Sequence, residues 1–399
     1  MEEVDSPCEN ADMDQHEREI TMSNLFTRRS LVKTVGLAAV GLILNPLRAD
    51  ADQGSTVPFS EENAIKIAKN YQVGLGIPSQ HTATAALPFY TSSGIFSGYI
   101  VIFNSNDDYG GYMTLDIHSD QLLADFSFSP NSTPPFMPSK CTNLSKDFAQ
   151  LSKSDSKVIV RANHLIYGVA DTVDGTIQFK DGTTELVPKS FASPRDTILD
   201  KYTVPSSYIW NSCSVTQMKT WNEGFFGLSE QDILLYAGKY ACYVVAAYAI
   251  ANHWYTFNAP YIDNNQYDAI WNLTGTTFLQ GSYIAGGTNP TEGARGFAQY
   301  CKSYHGDNRS YQIIDEIPNS LPIVDSIDND WGCILTVDAL ATDGVAHAAA
   351  VEGYLRTIEP AGNQGWYMCV YDGWYASGRY LSLSPHDGSD FNLGAHIFK

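Results

Sequence analysis

Cys242 and His347 are the residues of this chain whose types could perform nucleophilic catalysis. Cys242 begins a run, residues 242–254, that contains no Asp, Glu, Lys or Arg and has apolar residues three and four positions apart. Such a run predicts a buried helix. A thiol in the first turn of a helix lies near unpaired backbone N–H groups and the positive end of the helix dipole, and both favour the thiolate that attacks carbonyl carbon. The sequence makes Cys242 a candidate nucleophile and His347 its candidate base, although a cysteine at such a position more often serves packing alone.

Cys213 is the alternative nucleophile. It precedes Met218, Lys219 and Trp221 rather than a clean apolar helix, so its thiol lacks the setting that activates a cysteine. His253 is an alternative base, but it lies eleven residues after Cys242 on the same predicted helix. At ~1.5 Å of rise per residue, that places it too far along the axis to reach the thiol.

Three predicted strands near the end of the chain place His347 relative to the other polar residues. They span residues 332–338, 347–355 and 366–371 and are rich in β-branched and aromatic residues. His347 begins the second strand, and Asp372 directly follows the third. The order is therefore a cysteine that opens a buried helix, a histidine that opens a strand, and an aspartate after the next strand.

This order resembles that of papain-like cysteine peptidases, and the chain most resembles the streptopain family of secreted bacterial cysteine peptidases. Residues 240–247 (Tyr-Ala-Cys-Tyr-Val-Val-Ala-Ala) resemble the nucleophile segment of that family. Residues 346–354 resemble its histidine strand, and residues 371–374 (Tyr-Asp-Gly-Trp) occupy the place of its Asn-Trp-Gly-Trp element. The first half of the chain resembles the family's pro-domain, so the resemblance covers most of residues 60–399.

The resemblance implies an α+β fold. A papain-like domain, in which a central helix that bears the cysteine packs on an antiparallel β-sheet, would follow a pro-domain made of an antiparallel sheet and a helix. In the catalytic triad that it implies, Cys242 attacks the amide carbonyl to form a thioester and His347 protonates the leaving amine. Asp372 would accept a hydrogen bond from the second imidazole nitrogen, and Trp374 would cover that bond.

The oxyanion partner of this triad is where the chain departs from the family. Papain-like enzymes usually carry a glutamine about six residues before the cysteine, and here that position is Tyr236. The hydroxyl of Tyr236 and the amide of Gln231 are the candidate replacements. A missing oxyanion donor can cost roughly 100-fold in rate, so the departure bears directly on activity.

The predicted N-terminal half, residues 52–185, contains no pairing of a nucleophile with a base. Ser60 could cap a helix over residues 61–70. Strand patterns at residues 87–90, 98–103, 112–117 and 122–128 then predict an antiparallel meander, with weaker strand signals at 158–160 and 176–179. A segment rich in proline and polar residues, 186–206, predicts a linker to the catalytic domain at 207–399.

The first 51 residues are predicted to be an export signal. Arg28 and Arg29 precede a moderately apolar stretch, residues 34–44, and a small-x-small cleavage site at 49–51. This arrangement resembles a twin-arginine signal. Residues 1–21 are acidic, so Met22 is a plausible true start. The expected location is outside a bacterial cytoplasm, secreted or in the cell envelope, with no stable membrane span after the signal is removed.

Composition excludes several classes of partner. The chain has 399 residues with 44 acidic and 24 basic side chains, a net charge of −20, and no basic run. A nucleic-acid partner is therefore not expected. The cysteines and nine histidines form no recognisable zinc pattern, so the sequence predicts neither a metal nor a cofactor.

Three functions remain open on sequence grounds. The first is an exported cysteine endopeptidase, made as a zymogen, that acts on proteins or peptides and is inhibited by its own pro-domain. The second uses the same fold and triad to hydrolyse cell-wall peptide cross-links. The third is a catalytically degenerate extracellular binding protein on the same scaffold. A fold alone does not distinguish them.

Overall fold

A computed structural model provides the coordinates of the chain. It describes residues 55–106, 108–119, 121–129, 132–137, 151, 154, 156–163, 165–179, 184–187, 202–221, 228–257, 261–317, 319–337, 347–382 and 393–399. The predicted export signal and residues 188–201 of the predicted linker lie outside this set. All described residues belong to one compact unit, and the division into pro-domain, linker and catalytic domain stays a prediction.

Seven helices lie within the described residues. They are α1 (Glu61–Gly74), α2 (Ser207–Trp210), α3 (Glu230–Ala237), α4 (Cys242–Tyr255), α5 (Asn264–Leu273), α6 (Pro290–His305) and α7 (Leu321–Asp328). None of these helices is long and apolar enough to cross a lipid bilayer.

The described strands are mostly antiparallel and number nineteen. They are β1 (Thr56–Pro58), β2 (His81–Thr91), β3 (Phe96–Ser105), β4 (Asp108–Asp116), β5 (Leu123–Ser127), β6 (Lys157–Arg161), β7 (Tyr167–Asp171), β8 (Thr176–Phe179), β9 (Thr184–Leu186), β10 (Thr203–Pro205), β11 (Ser214–Thr220), β12 (Thr277–Phe278), β13 (Gly286–Gly287), β14 (Tyr311–Ile314), β15 (Gly332–Val337), β16 (His347–Ile358), β17 (Gln364–Tyr371), β18 (Arg379–Ser382) and β19 (Leu393–Phe398). Fifteen of them form one sheet in the order β14-β19-β15-β16-β17-β18-β5-β4-β3-β2-β6-β7-β8-β9, with β11 paired to β16.

Local sequence signals account for the elements that were predicted. Ser60 caps α1 by accepting a hydrogen bond from the backbone N–H of Asn63 at 3.3 Å. The apolar run after Cys242 forms α4 and is buried along nine of its fourteen residues, because it has no charged side chain to place in water. The predicted meander is confirmed, since β2, β3, β4 and β5 pair in sequence as antiparallel neighbours. The α+β class is likewise confirmed.

The large sheet crosses between the N-terminal and C-terminal halves of the chain. Strand β5 of the N-terminal half pairs with β18, so that Asp125 lies opposite Leu381 and Phe126 opposite Tyr380. Strand β1 also pairs with β10, which lies at the end of the predicted linker. One hydrophobic core contains buried residues of both halves, from Phe59 to Phe398. Separating the halves would therefore expose apolar surface as well as break a strand pair.

Candidate active site

Cys242 is the first residue of α4 and is partly buried. Ala241 before it has an extended backbone, φ −146° and ψ 126°, and no side chain caps the helix. The thiol lies beside backbone N–H groups of Ala348, Tyr243 and Cys242 itself. Because Ala348 follows His347, this contact places the sulfur at the start of β16. Burial raises the pKa of the Cys242 thiol, and the three amides lower it without cancelling the rise.

His347 is the first residue of β16 and is buried, with only 5% of its surface exposed. Its Nε2 lies 3.0 Å from the backbone carbonyl oxygen of Asp372. Since a carbonyl can only accept, Nε2 carries the hydrogen and Nδ1 is the nitrogen able to take a proton. Burial lowers the pKa of His347 to about 3, and the positive charge of Arg379 acts in the same direction, while the hydrogen bond to Asp372 opposes the shift.

The indole ring of Trp374 packs on the imidazole of His347. The two rings stack with centroids 3.7 Å apart and planes 17° from parallel. Trp374 is itself buried, and its carbonyl oxygen accepts a hydrogen bond from the backbone N–H of Glu230 at 3.3 Å. The start of α3 therefore helps to hold the tryptophan over His347.

The Asp372 carboxylate does not point at the imidazole in the way the resemblance implied. Its Oδ1 accepts hydrogen bonds from the backbone N–H groups of Trp374 at 3.0 Å and Tyr375 at 3.3 Å. Its Oδ2 lies 3.1 Å from Nε of Arg379. An Asp side chain readily bonds to the backbone two or three residues ahead, and here that local turn and the Arg379 guanidinium occupy the carboxylate. The main-chain carbonyl of Asp372 is left to orient the histidine.

Gly373 lets the loop between Asp372 and Trp374 approach α4. Its φ is +75°, and a Cβ at this position would meet Cγ1 of Val245 at 2.9 Å and the hydroxyl oxygen of Tyr240 at 3.2 Å. Only glycine adopts this backbone without cost. The close approach brings the loop that holds His347 against the helix that carries Cys242.

Tyr240 is a residue of this site that the sequence did not single out. Its backbone pairs with the hairpin formed by β12 and β13, since its N–H donates to Ile284 and its carbonyl accepts from Gly286, both at 2.7 Å. Its hydroxyl is buried and has no hydrogen-bond partner among the described residues. A tyrosine two positions before a cysteine is not a recognisable motif, so nothing in the sequence pattern indicated that Tyr240 lies in this site.

The two candidate oxyanion donors lie on α3. Gln231 is exposed on the first turn, and the ring of Tyr236 stacks on that of Tyr261 with centroids 4.2 Å apart. Neither makes a hydrogen bond or a ring contact with Cys242 or His347 in the described part of the chain. The structure thus brings together Cys242, His347, Asp372 and Trp374, and sets Gln231 and Tyr236 on a neighbouring helix.

The alternative residues have other partners. The buried thiol of Cys213 lies 3.9 Å from the carbonyl oxygen of Tyr71, and burial, aided by the nearby Glu359, raises its pKa. His253 pairs with Asp330 at 3.0 Å and stacks on Trp221. The five cysteines of the described residues are all free. Within the same residues, no group of His, Cys, Asp and Glu side chains is arranged to hold a metal ion.

Comparison with known proteins adds no family assignment. No protein family model and no curated protein matches this chain. The geometry of the site therefore carries the functional argument.

Proposed function

We propose that this protein is an exported cysteine peptidase whose residues 207–399 form a papain-like catalytic domain. The observation that supports the proposal most strongly is the placing of the Cys242 thiol at the amide of Ala348, next to a histidine whose Nε2 is anchored 3.0 Å from the Asp372 carbonyl. A nucleophile, a base and an orienting group are the parts that acyl transfer through a covalent intermediate requires.

In the proposed reaction Nδ1 of His347 removes the thiol proton as the sulfur attacks the substrate carbonyl carbon. The tetrahedral intermediate collapses to a thioester when the imidazolium returns that proton to the leaving amine. Water then attacks the thioester, gives its proton to His347, and releases the acid and the thiol. The backbone N–H of Cys242 is the expected oxyanion donor, because no side chain caps this helix terminus.

The resting site supports the further proposal that the intact chain is a zymogen. The shifts at Cys242 and His347 both favour the uncharged forms, thiol and imidazole. A papain-like thiolate–imidazolium pair would need the pKa of Cys242 to be lowered and the pKa of His347 to be raised. A change of surroundings that admits water or substrate would relieve the desolvation. We propose that cleavage between the halves, after export through the twin-arginine signal, provides that change. N-terminal sequencing of protein from the culture medium tests both steps, and an intact Met1 or Met22 terminus would contradict them.

A thiol-directed epoxysuccinyl probe tests the catalytic assignment. The wild type, cut between the halves, is expected to label at one site and to cleave casein. Cys242→Ala is expected to lose both properties, and Cys213→Ala, which removes an equally free but buried thiol, is the matched control that keeps them. Labelling and cleavage that persist in Cys242→Ala would refute the assignment.

One observation favours the third candidate, a binding protein on a degenerate site. The hairpin beside Tyr240 exposes four large apolar side chains, those of Phe278, Leu279, Tyr283 and Ile284, the third of them 91% exposed. Clusters of this kind mark interaction surfaces. A wild type that neither labels nor cleaves casein or peptidoglycan stem peptides would favour this candidate. Cleavage of the stem peptides alone would favour a cell-wall amidase.

A further inference from the structure

Arg379 connects the catalytic loop to the N-terminal half of the chain. It is the first residue of β18 and is 3% exposed. Its Nε lies 3.1 Å from Oδ2 of Asp372, and its Nη1 donates to Oδ2 of Asp125 at 3.1 Å. Its Nη2 donates to the carbonyl oxygen of Leu165 at 2.7 Å. Two of its three nitrogens therefore bind residues of the N-terminal half.

Asp125 is buried among groups that fix its carboxylate. It lies on β5, is fully buried, and accepts a hydrogen bond on Oδ1 from the hydroxyl of Tyr112 at 3.0 Å. Arg161, which forms a buried pair with Asp116 at 2.8 Å, also acts electrostatically on Asp125. Burial raises the pKa of Asp125, and Arg379 and then Arg161 oppose this. Burial alone would lower the pKa of Arg379, but Asp125 and then Asp372 raise it above the ordinary value, so the guanidinium stays charged.

A second contact joins the N-terminal half to the same loop. The hydroxyl of Tyr375 donates to the carbonyl oxygens of Pro135 at 2.8 Å and Met137 at 2.9 Å. The backbone N–H of Tyr375 in turn donates to Asp372. The loop that orients His347 is therefore held from the N-terminal half at both its carboxylate and its far end.

We propose that Asp125 is a positioning residue of the active site, supplied by the N-terminal half, which shares the Arg379 guanidinium with Asp372 and balances its charge near His347. The inference rests on the proposed function, since it assigns a role in the reaction of that site. It extends the zymogen proposal, because the N-terminal half then stays bound after the chain is cut and belongs to the active enzyme. Cleavage would free the cleft while β5 remains paired with β18.

The physical reason is that a buried guanidinium must be matched by carboxylate charge. Without Asp125, Arg379 would retain Asp372 as its carboxylate contact and would leave a buried donor, Nη1, without its acceptor. Its charge would then oppose the imidazolium that forms on His347 during the reaction. Its pull on Oδ2 would also compete with the turn that Oδ1 makes with Trp374, and so shift the carbonyl that orients the ring.

Among the described residues, the charged and titratable groups near His347 lie on β18, on the loop after β17 and at the start of α4. Arg379 acts on His347 electrostatically from β18, and in the loop after β17 the carbonyl oxygen of Asp372 lies 3.0 Å from Nε2 of the histidine. The Cys242 thiol, at the start of α4, lies at the backbone N–H of the next residue, Ala348. Among these three, Asp125 contacts Arg379 directly. A change at Asp125 is therefore expected to reach the histidine through the Arg379 guanidinium, and Asp125 also acts electrostatically on Asp372.

The test measures alkylation of Cys242 by iodoacetamide as a function of pH, read by mass spectrometry on the full chain cut between its halves. Asp125→Asn is expected to slow alkylation near neutral pH about tenfold, the change that one pKa unit produces, and to move the midpoint of the profile to higher pH. Asp125→Asn combined with Arg379→Gln removes both charges and is expected to return the rate to within about threefold of wild type, because the uncompensated cation is gone.

Asp116→Asn is the matched control, because it weakens the adjacent buried pair with Arg161 but leaves Arg379 its carboxylates. It is expected to lower the melting temperature without moving the pH profile. An Asp125→Asn profile identical to wild type, or a double variant slower than Asp125→Asn, would overturn the proposal. If instead the proposed function is wrong, the variants would shift the pH profile of Cys242 alkylation as expected, but the wild type would cleave no amide.

Discussion

Replacement of His347 by glutamine is expected to remove part of the protein's loss of stability in acid. The imidazole is buried, and its pKa in the folded protein is about 3 against an ordinary value of 6.5. Below pH ~6.5 the unfolded chain therefore binds a proton at this residue that the folded chain does not. Stability is full above the unfolded pKa and is lost as the pH falls from there toward the folded pKa.

The magnitude follows from these two pKa values. Between pH 7 and pH 5 the differential protonation of His347 costs about 2 kcal/mol, and the full shift corresponds to about 5 kcal/mol. Glutamine keeps a polar side chain that can hydrogen-bond to the Asp372 carbonyl but does not titrate. As the pH falls from 7 to 5, the unfolding free energy of the wild type should therefore decrease by about 2 kcal/mol relative to that of His347→Gln.

Urea unfolding at the two pH values measures this difference. Cys242→Ala is the control that keeps the imidazole and removes the thiol, and it should retain the acid sensitivity. His396 is a second case: it is buried, it bonds the hydroxyl of Tyr243 at 2.8 Å, and its pKa is lowered to about 4. His396→Gln should show a similar change of about 2 kcal/mol over the same interval.

The opposite sign would refute the reasoning. If the resting site held a thiolate–imidazolium pair, the folded pKa of His347 would lie above 6.5, and its contribution would be present below that value and lost as the pH rises through the raised pKa. The gap between wild type and His347→Gln would then widen on acidification. A difference in unfolding free energy that does not change with pH would show that burial does not perturb the pKa of His347.

Three further substitutions test a close backbone contact, a buried hydrogen bond and a stacked ring. Gly373→Ala should cost about 1–2 kcal/mol in unfolding free energy because of its φ of +75°, and somewhat more because its Cβ would lie 2.9 Å from Cγ1 of Val245. It should also slow alkylation of the Cys242 thiol. Tyr71→Phe should cost about 1.5–3 kcal/mol in urea unfolding, because it removes a hydroxyl 2.5 Å from Oε2 of the buried Glu359. Trp374→Leu should shift the pH profile of Cys242 alkylation to lower pH, because water then reaches the imidazole, its pKa rises toward the ordinary value, and the imidazolium that stabilises a thiolate forms more readily.

The first two of these substitutions have a matched control within the chain. Gly238→Ala meets the same backbone strain at φ +70° but has open space around its Cβ, so it should lack the additional cost. Tyr99→Phe removes a hydroxyl from the same core without breaking a hydrogen bond of the described residues, and should change stability by less than about 0.5 kcal/mol. Equal losses of unfolding free energy in the two glycine variants would show that the contact with Val245 adds nothing. Equal losses in the two tyrosine variants would show that the hydrogen bond to Glu359 adds nothing. A Trp374→Leu profile like that of wild type would show that the ring does not exclude water.

Local signals in the sequence were sufficient for the elements that carry the site. Apolar spacing predicted α4 with Cys242 as its first residue, and the strand pattern predicted β16 with His347 as its first residue. The cap at Ser60 and the antiparallel meander after it were equally local. Helix periodicity, capping and strand alternation depend on neighbours in the chain, so they can be read without knowledge of the fold.

The charge states and the partners of those residues could not be read in this way. The helix terminus at Cys242 favoured a thiolate on sequence grounds, whereas burial beside β16 raises the pKa of its thiol. The Asp372 carboxylate was expected at the histidine, whereas Arg379 and the local turn occupy it. Desolvation and ion pairing depend on what other segments bring to the site, and no local pattern contains that information.

The sequence by itself therefore determined that Cys242 begins a helix and that His347 begins a strand, and with them the order of the candidate nucleophile, base and aspartate. Only the tertiary structure decided how these residues are held. It continued the sheet through β5 and β18, and so placed Asp125 against Arg379, 254 positions apart in the chain. A contact over that separation is set by the pairing of whole strands and the closing of a common core, which the residues near either end do not specify.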